Sequence, residues 1–141
     1  MAKLVLPRVH VMVLCDEIEP SAEADVFDLR GVRTSIAAAA FPYRHLQLCV
    51  YLQLSGHEGA ASGEILIARA DTDTTVHYQR IGSVQFQGPL TLIPLAVWLM
   101  DCDFPDAGLY YVQAYFDQRI IAELSLWLMQ SEGEANGQVG Q

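Results

Sequence analysis

Apolar and polar residues alternate along most of this chain. Between Arg44 and Leu54, one parity carries Leu46, Leu48, Val50, Leu52 and Leu54, and the other carries His45, Gln47, Cys49, Tyr51 and Gln53. A period of two places side chains on opposite faces of an extended strand; a helix would spread the same residues around its surface. Near the start, Val9, Val11 and Val13 alternate with His10, Met12 and Leu14. Asp25–Arg30, "GVRTSI" and "EILIARA" are shorter β-prone runs, and Thr75–Gln87 is a longer one with a break expected at Gly82. Leu90–Met100 is apolar on both parities, and Pro94 assigns it to a sheet edge or a bulge. Turn residues separate these runs at Gly56–Gly63, "DTDTT", Gly88-Pro89 and "DCDFPDAG". Only Ile36–Ala40 has helix-forming composition. It is too short to hold a helix alone, and Pro42 stops it.

The last ribbon, "FPDAGLYYVQAYFDQRIIAELSLWLM", Phe104 to Met129, allows its register to be derived. Tyr110, Val112, Ala114 and Phe116 form one face of its first strand, and Ile120, Ala122, Leu124, Leu126 and Leu128 one face of its second. Opposed residues of an antiparallel pair point to the same side. Both inward sets are even-numbered, so a two-residue turn at Asp117-Gln118 would turn one strand inside out. The parity predicts a three-residue or bulged loop, Phe116 opposite Ile120, Val112 opposite Leu124, and Gln118 or Arg119 near the left-handed region. The outer face then carries Leu109, Tyr111, Tyr115, Ile121, Trp127 and Met129, with Tyr115 opposite Ile121. A solvated face should be mostly charged and small polar residues. Tyrosine and tryptophan at this density mark a contact surface, or a face that the chain covers itself.

About eight short strands with turns between them, and at most one short helical turn, predict an all-β fold: a single antiparallel β-sandwich over residues 1–130. Residues 131–141 are polar and glycine-rich and predict a disordered tail. The length of 141 residues suits one domain, and a 52% apolar composition supplies its core without metals or disulfides. The net charge of −9 would repel a phosphate backbone and an anionic membrane surface. No apolar run reaches the length of a membrane span. The N-terminal run is broken by Pro7, Arg8 and His10 and reads as a first strand rather than a leader, which gives a cytoplasmic expectation. Three widely spaced cysteines, Cys15, Cys49 and Cys102, argue for reduced thiols.

Candidate chemistry is thin. His10, His45, His57 and His77 sit at none of the metal-ligand spacings, and His45 and Cys49 would lie about 13 Å apart along a strand. No metal and no cofactor is expected. Ser55-Gly56-His57-Glu58 reads as a polar loop, without a nucleophile elbow. Cys15 reads as a buried strand residue whose acidic neighbours raise its pKa, and Asp16 as a turn former or cap. "DEIEPSAEAD" lacks the ordered spacing of a calcium loop. Tyr110, just after a turn, reads as a structural tyrosine whose hydroxyl reaches back to nearby backbone.

"LCDEI", "LRGV", "FP" before an alternating strand, and "FPDAGLYYVQAYFDQRIIAELSLWL" together resemble a family of small bacterial proteins of unknown function. The resemblance covers Arg8 to about Leu128. It implies one immunoglobulin-like β-sandwich and no catalytic residues. Such proteins often carry a glycine at the hairpin tip, where this chain has Gln118 or Arg119. The expectation is a non-enzymatic module that self-associates or docks onto a protein partner in a larger assembly. A sandwich binding a carbohydrate or another small molecule is the alternative.

Overall fold

Two β-sheets contribute side chains to one main apolar core. The computed structural model describes residues 6–131. Among them are nine strands and no helix: β1 Arg8–Pro20, β2 Phe27–Val32, β3 Ser35–Ala38, β4 Tyr43–Ser55, β5 Gly59–Arg69, β6 Thr75–Phe86, β7 Ile93–Phe104, β8 Gly108–Phe116 and β9 Arg119–Gln130. One sheet has the order β2-β1-β4-β7 and the other β3-β9-β8-β5-β6. Neighbours are antiparallel except β3 and β9, which run parallel. The start of the run with helix-forming composition is instead β3, which buries Ile36 and Ala38 and exposes Ala37. Of the expected polar tail, all but Ser131 lies outside the described residues.

The core follows the period of two. Leu48, Val50, Leu52 and Leu54 of β4 meet Ile65 and Ile67 of β5, Tyr110, Val112, Ala114 and Phe116 of β8, and Leu126 and Leu128 of β9. Tyr110 closes the turn between β7 and β8. Its hydroxyl donates to the Asp106 carbonyl at 2.7 Å and accepts the Asp106 N–H at 3.3 Å, while its ring stands edge-on to Phe104. Pro94 lies on an edge strand, as its missing N–H requires.

Several strands change their buried parity partway along. In β4, Leu46 does not share the face of Leu48 to Leu54; it is 67% exposed. Its partner level on β7 holds Asp101, whose φ of 55° is left-handed. Beyond it Cys102 and Phe104 turn inward, opposite His45 and Tyr43. β7 therefore continues through residues expected to form a turn, and it begins only at Ile93, leaving Leu90 and Leu92 exposed. Between β5 and β6, the register shifts at two places. Val76 and Ile81 are the extra residues, both packed against the core, with Gly82 at a φ of 91° beside the second.

β5 also starts earlier than its glycines suggest, at Gly59. Gly63 is needed there for space. A Cβ at Gly63 would lie 2.6 Å from Cζ of Phe116 and 3.1 Å from Cδ1 of Ile81. Phe116 is fully buried and has nowhere to move.

The four-stranded sheet has a second, smaller apolar cluster on its outer side. Pairing of β1 with β4 ends at Cys15 opposite Cys49. From there the β1–β2 hairpin lays Ile18, Phe27 and Leu29 over Cys15, Cys49 and Tyr51, with the Phe27 and Tyr51 rings 5.8 Å apart. Asp16 sits at this departure as the acceptor of a two-pronged Arg33 guanidinium, rather than as a turn former. The three cysteines are free and fully buried. Burial pushes the Cys49 thiol up to about 11 and the Cys102 thiol up to about 12, and burial, then Asp16, raises Cys15.

Two outcomes follow from this packing. Gly63→Ala should cost about 1–3 kcal/mol in urea unfolding, the range for overfilling a rigid core. His77 of β6 faces inward, its Nε2 buried and unpartnered, and burial lowers its pKa below the ordinary 6.5 against the opposing pull of Asp103 and Asp101. Burial likewise lowers His45. A group whose folded pKa is depressed contributes stability above 6.5 that is lost as pH falls through the folded value. Unfolding midpoints should therefore drop from about pH 7 to about pH 5, and His77→Gln should flatten that slope.

Candidate interaction surface

The outer side of the five-stranded sheet is built from the odd-numbered residues of β8, the odd-numbered residues of β9 from Glu123 onward with Ile120, and matching positions of β5 and β6. The register gives its rows. Trp127 lies opposite Leu109, and Ser125 opposite Tyr111, which neighbours Ala68. Glu123, Gln113, Leu66 and Tyr78 form the next row across four strands, and Ile120, Tyr115, Glu64 and Arg80 the one after. Four strands at about 4.8 Å spacing make this face roughly 15 Å wide.

The hairpin keeps the expected inward set on β8 and most of it on β9, and Val112 stands opposite Leu124 as the parity requires. Its tip differs. Asp117 and Gln118 form a two-residue turn with φ of 50° and 67°, so Phe116 faces Arg119 rather than Ile120. The parity is restored by a bulge, because Tyr115 faces Ile120 while Ala114 faces Ala122. Ile121 is the extra residue. It packs against the core, and Ile120, 46% exposed, takes the outward place assigned to it. Thus Leu109, Tyr111, Tyr115, Trp127 and Met129 share the outer face, and Ile121 does not. Leu66 and Tyr78 join them, which inspection of one hairpin could not reveal because they arrive from β5 and β6.

No described segment caps this surface. Trp127 is 51% exposed, and Met129 and Tyr78 are similarly open. Leu109, Tyr111 and Tyr115 are half-buried, shielded by neighbouring strands. Polar groups interrupt the apolar area in an ordered way. Tyr115 donates to Gln113, whose amide donates to Glu123 at 2.8 Å, and the Tyr78 hydroxyl donates to Glu64 at 3.0 Å. The Glu64 hydrogen bond raises the Tyr78 pKa. Neither carboxylate has a cation within ion-pair distance among the described residues.

A second feature escaped sequence reasoning. Ser55 is the one buried polar residue among those described, and its hydroxyl lies 2.6 Å from Nε2 of His10. They come from β4 and β1, far apart in the chain. The pair resembles a nucleophile and its base, yet no described group bonds the other ring nitrogen of His10, and the adjacent Gly56 N–H already donates to the Pro89 carbonyl at 2.8 Å. His57 and Glu58 belong to the β4–β5 loop, where the His57 ring stands edge-on to Phe86. Among the described residues no three histidine, cysteine, aspartate or glutamate side chains converge to hold a metal ion.

Substitution separates the two isoleucines. Ile121→Ala should lower unfolding stability by about 1–2 kcal/mol, as for a partly buried core side chain. Ile120→Ala should stay within about 0.5 kcal/mol, as for a surface position.

No curated protein matches this chain. Among solved structures it resembles part of the Pseudomonas fluorescens alkylpurine DNA glycosylase AlkC, solved bound to DNA containing an abasic site analog, with a TM-score of 0.56 and 7% identity. The match covers 87% of this chain and 30% of that one, and at such identity it speaks to fold alone. The described residues contain no helix long and apolar enough to cross a membrane. Residues 10–128 match DUF6941, a family of unknown function, and the chain belongs to that family.

Proposed function

We propose that this chain is a non-enzymatic docking module which binds a partner protein through the outer face of β9, β8, β5 and β6. One contrast carries the reading. The chain spends its own β1–β2 hairpin on covering the outer side of the four-stranded sheet, and leaves an aromatic face of equal rank bare on the other. Tyrosine and tryptophan bury large areas at low rotamer cost, so Tyr111, Tyr115, Trp127 and Tyr78 are suited to act as anchors.

Charge selects the kind of partner. Glu64 and Glu123 accept hydrogen bonds from neutral donors within the face, which leaves their charge available to a cation. The chain carries −9 overall. A second copy would set like charge against like charge, whereas a protein offering apolar side chains flanked by lysine or arginine is complementary. The same excess opposes nucleic acid, so the likeness to part of a DNA-bound glycosylase is taken here as shared scaffolding.

We further infer that the two sheets form an immunoglobulin-like sandwich. Supporting this are the β9-β8-β5-β6 sheet with β3 parallel at its edge, and the Tyr110 corner closing the turn between sheets. We further propose a reducing, cytoplasmic setting, with which three free thiols accord.

Incorporating a photo-crosslinking residue at Trp127 in the native host tests the docking face. One discrete hetero-adduct is expected, absent when the probe is at Val32 and weakened by salt or by Tyr111→Glu. A homodimer adduct alone, with a doubled mass in light scattering that Trp127→Glu abolishes, would replace the foreign partner with a second copy. Absence of any adduct from Trp127, Tyr78 and Ile120 probes would end the docking reading.

A further inference from the structure

A cavity of about 580 Å³ opens where β1 and β4 reach the end of the four-stranded sheet. Its polar side is Arg8, His10, Gln53 and Ser55, and its opposite wall is Pro89, Leu90 and Leu92. A smaller hollow of about 210 Å³ shares Gln53 and Leu92 with it and extends to Tyr51 and Asp25. Together they make a groove that is cationic at one end, apolar along one side and anionic at the far end.

Three observations give the groove a chemistry. First, Arg30, Arg33, Arg44 and Arg69 are each held by carboxylates, but Arg8 has none within ion-pair distance among the described residues, despite an excess of acids. Arg80 and Arg119 are also unpaired, but neither lines this groove. Second, Ser55, which is buried, and the exposed His10 ring are hydrogen-bonded to each other beside Arg8, and the pair keeps one polar hydrogen free for a ligand. His10 is the extra residue of the β1 bulge, which turns it onto Ser55. Third, Leu90 is 93% exposed and Leu92 55% exposed, and the Gly56 N–H to Pro89 carbonyl bond ties their loop to the end of β4. That bond anchors the wall at its Pro89 end.

We propose that the groove binds a monocarboxylate with a long, unbranched apolar body. The carboxylate meets the forked guanidinium of Arg8, with the His10–Ser55 pair alongside, a geometry that arginine matches well. The apolar body runs past Leu90 and Leu92 toward Tyr51. Ser55 and Tyr51 are four residues apart on β4, so this path is about 13 Å long. The cavity volume falls in the range of small-molecule sites. Asp25 at the far end repels a second carboxylate, which sets the preference for a monoanion over a dianion. No bond is made or broken in the groove.

Calorimetric titration of the full chain with decanoate, decanol and decanedioate tests the assignment. Decanoate should bind saturably at one site and raise the melting temperature, as a ligand bound only by the folded state must. Decanol and decanedioate should each bind about tenfold more weakly or worse. Arg8→Gln should lose about tenfold or more in decanoate affinity with an unchanged unliganded melting temperature, and Arg8→Lys should recover part of it. Trp127→Glu should bind decanoate like the parent, which keeps this test separate from the docking face. No saturable decanoate binding, equal binding of decanol or decanedioate, or full affinity in a folded Arg8→Gln protein would each overturn the proposal. Should Arg8→Gln misfold, the comparison among the three ligands still decides.

Discussion

Everything in this fold depends on one constraint: a strand buries alternate residues, so it can serve a single core only while its apolar residues keep one parity. This chain does not keep parity throughout, and its irregularities stand where the parity must be reset. Val76, Ile81 and Ile121 are extra residues in their strands, and each turns onto the core. Asp101 achieves the same end with a left-handed backbone, after which Cys102 and Phe104 point inward. A bulge forfeits about one ladder hydrogen bond, with a net value near 1 kcal/mol. Burying an isoleucine contributes roughly 1.5–3 kcal/mol when complete. The exchange favours the bulge wherever the sequence supplies an apolar residue out of step.

The same constraint explains why the two outer faces differ. Each sheet has a second side that its strands must fill with something. On the four-stranded sheet, that side carries Cys15, Cys49 and Tyr51, too apolar to leave wet, and the β1–β2 hairpin folds across them. The bend begins at Asp16, where Arg33 holds the carboxylate and where Gly31, at a φ of 70°, leaves room for it. On the five-stranded sheet, the outer side mixes aromatics with Gln113, which donates to Glu123, and Glu64, which accepts from Tyr78, and these polar groups tolerate water. That mixture allows the face to stay soluble while bare and still offer large side chains for burial.

Much of this was legible because alternation is a local property. The β4 stretch from Leu48 to Leu54, the edge position of Pro94 and the inward Tyr110 all follow from residues within a few positions of one another, whereas the break expected at Gly82 is only a bulge in a continuous strand. What could not be read depended on partners distant in sequence. Leu46 is exposed because of a left-handed residue 55 positions later. Gly63 belongs to a strand rather than a loop because Phe116 needs its missing side chain. Strict parity excluded a two-residue turn at the hairpin tip, and the structure has one because a bulge at Ile121 restores parity afterwards; alternation alone does not choose between Ile120 and Ile121. Leu66, Tyr78 and the His10–Ser55 pair became visible only once strand order was known.

The proposed docking face and the proposed Arg8 groove belong to different sheets, and the packing between them argues for independent action. The link by covalent chain is short: β6 carries Tyr78 on the aromatic face and leads directly into the loop that holds Leu90 and Leu92. A shift of β6 on docking would reach that loop through Phe86. Phe86, however, is buried in the core and stands edge-on to His57, and the loop is tied separately to β4 through Gly56. Close-packed interiors resist continuous deformation, so coupling between distant sites requires an element with two packed arrangements. The segment between the two surfaces is anchored at both ends instead. Occupation of one surface should therefore leave affinity at the other unchanged.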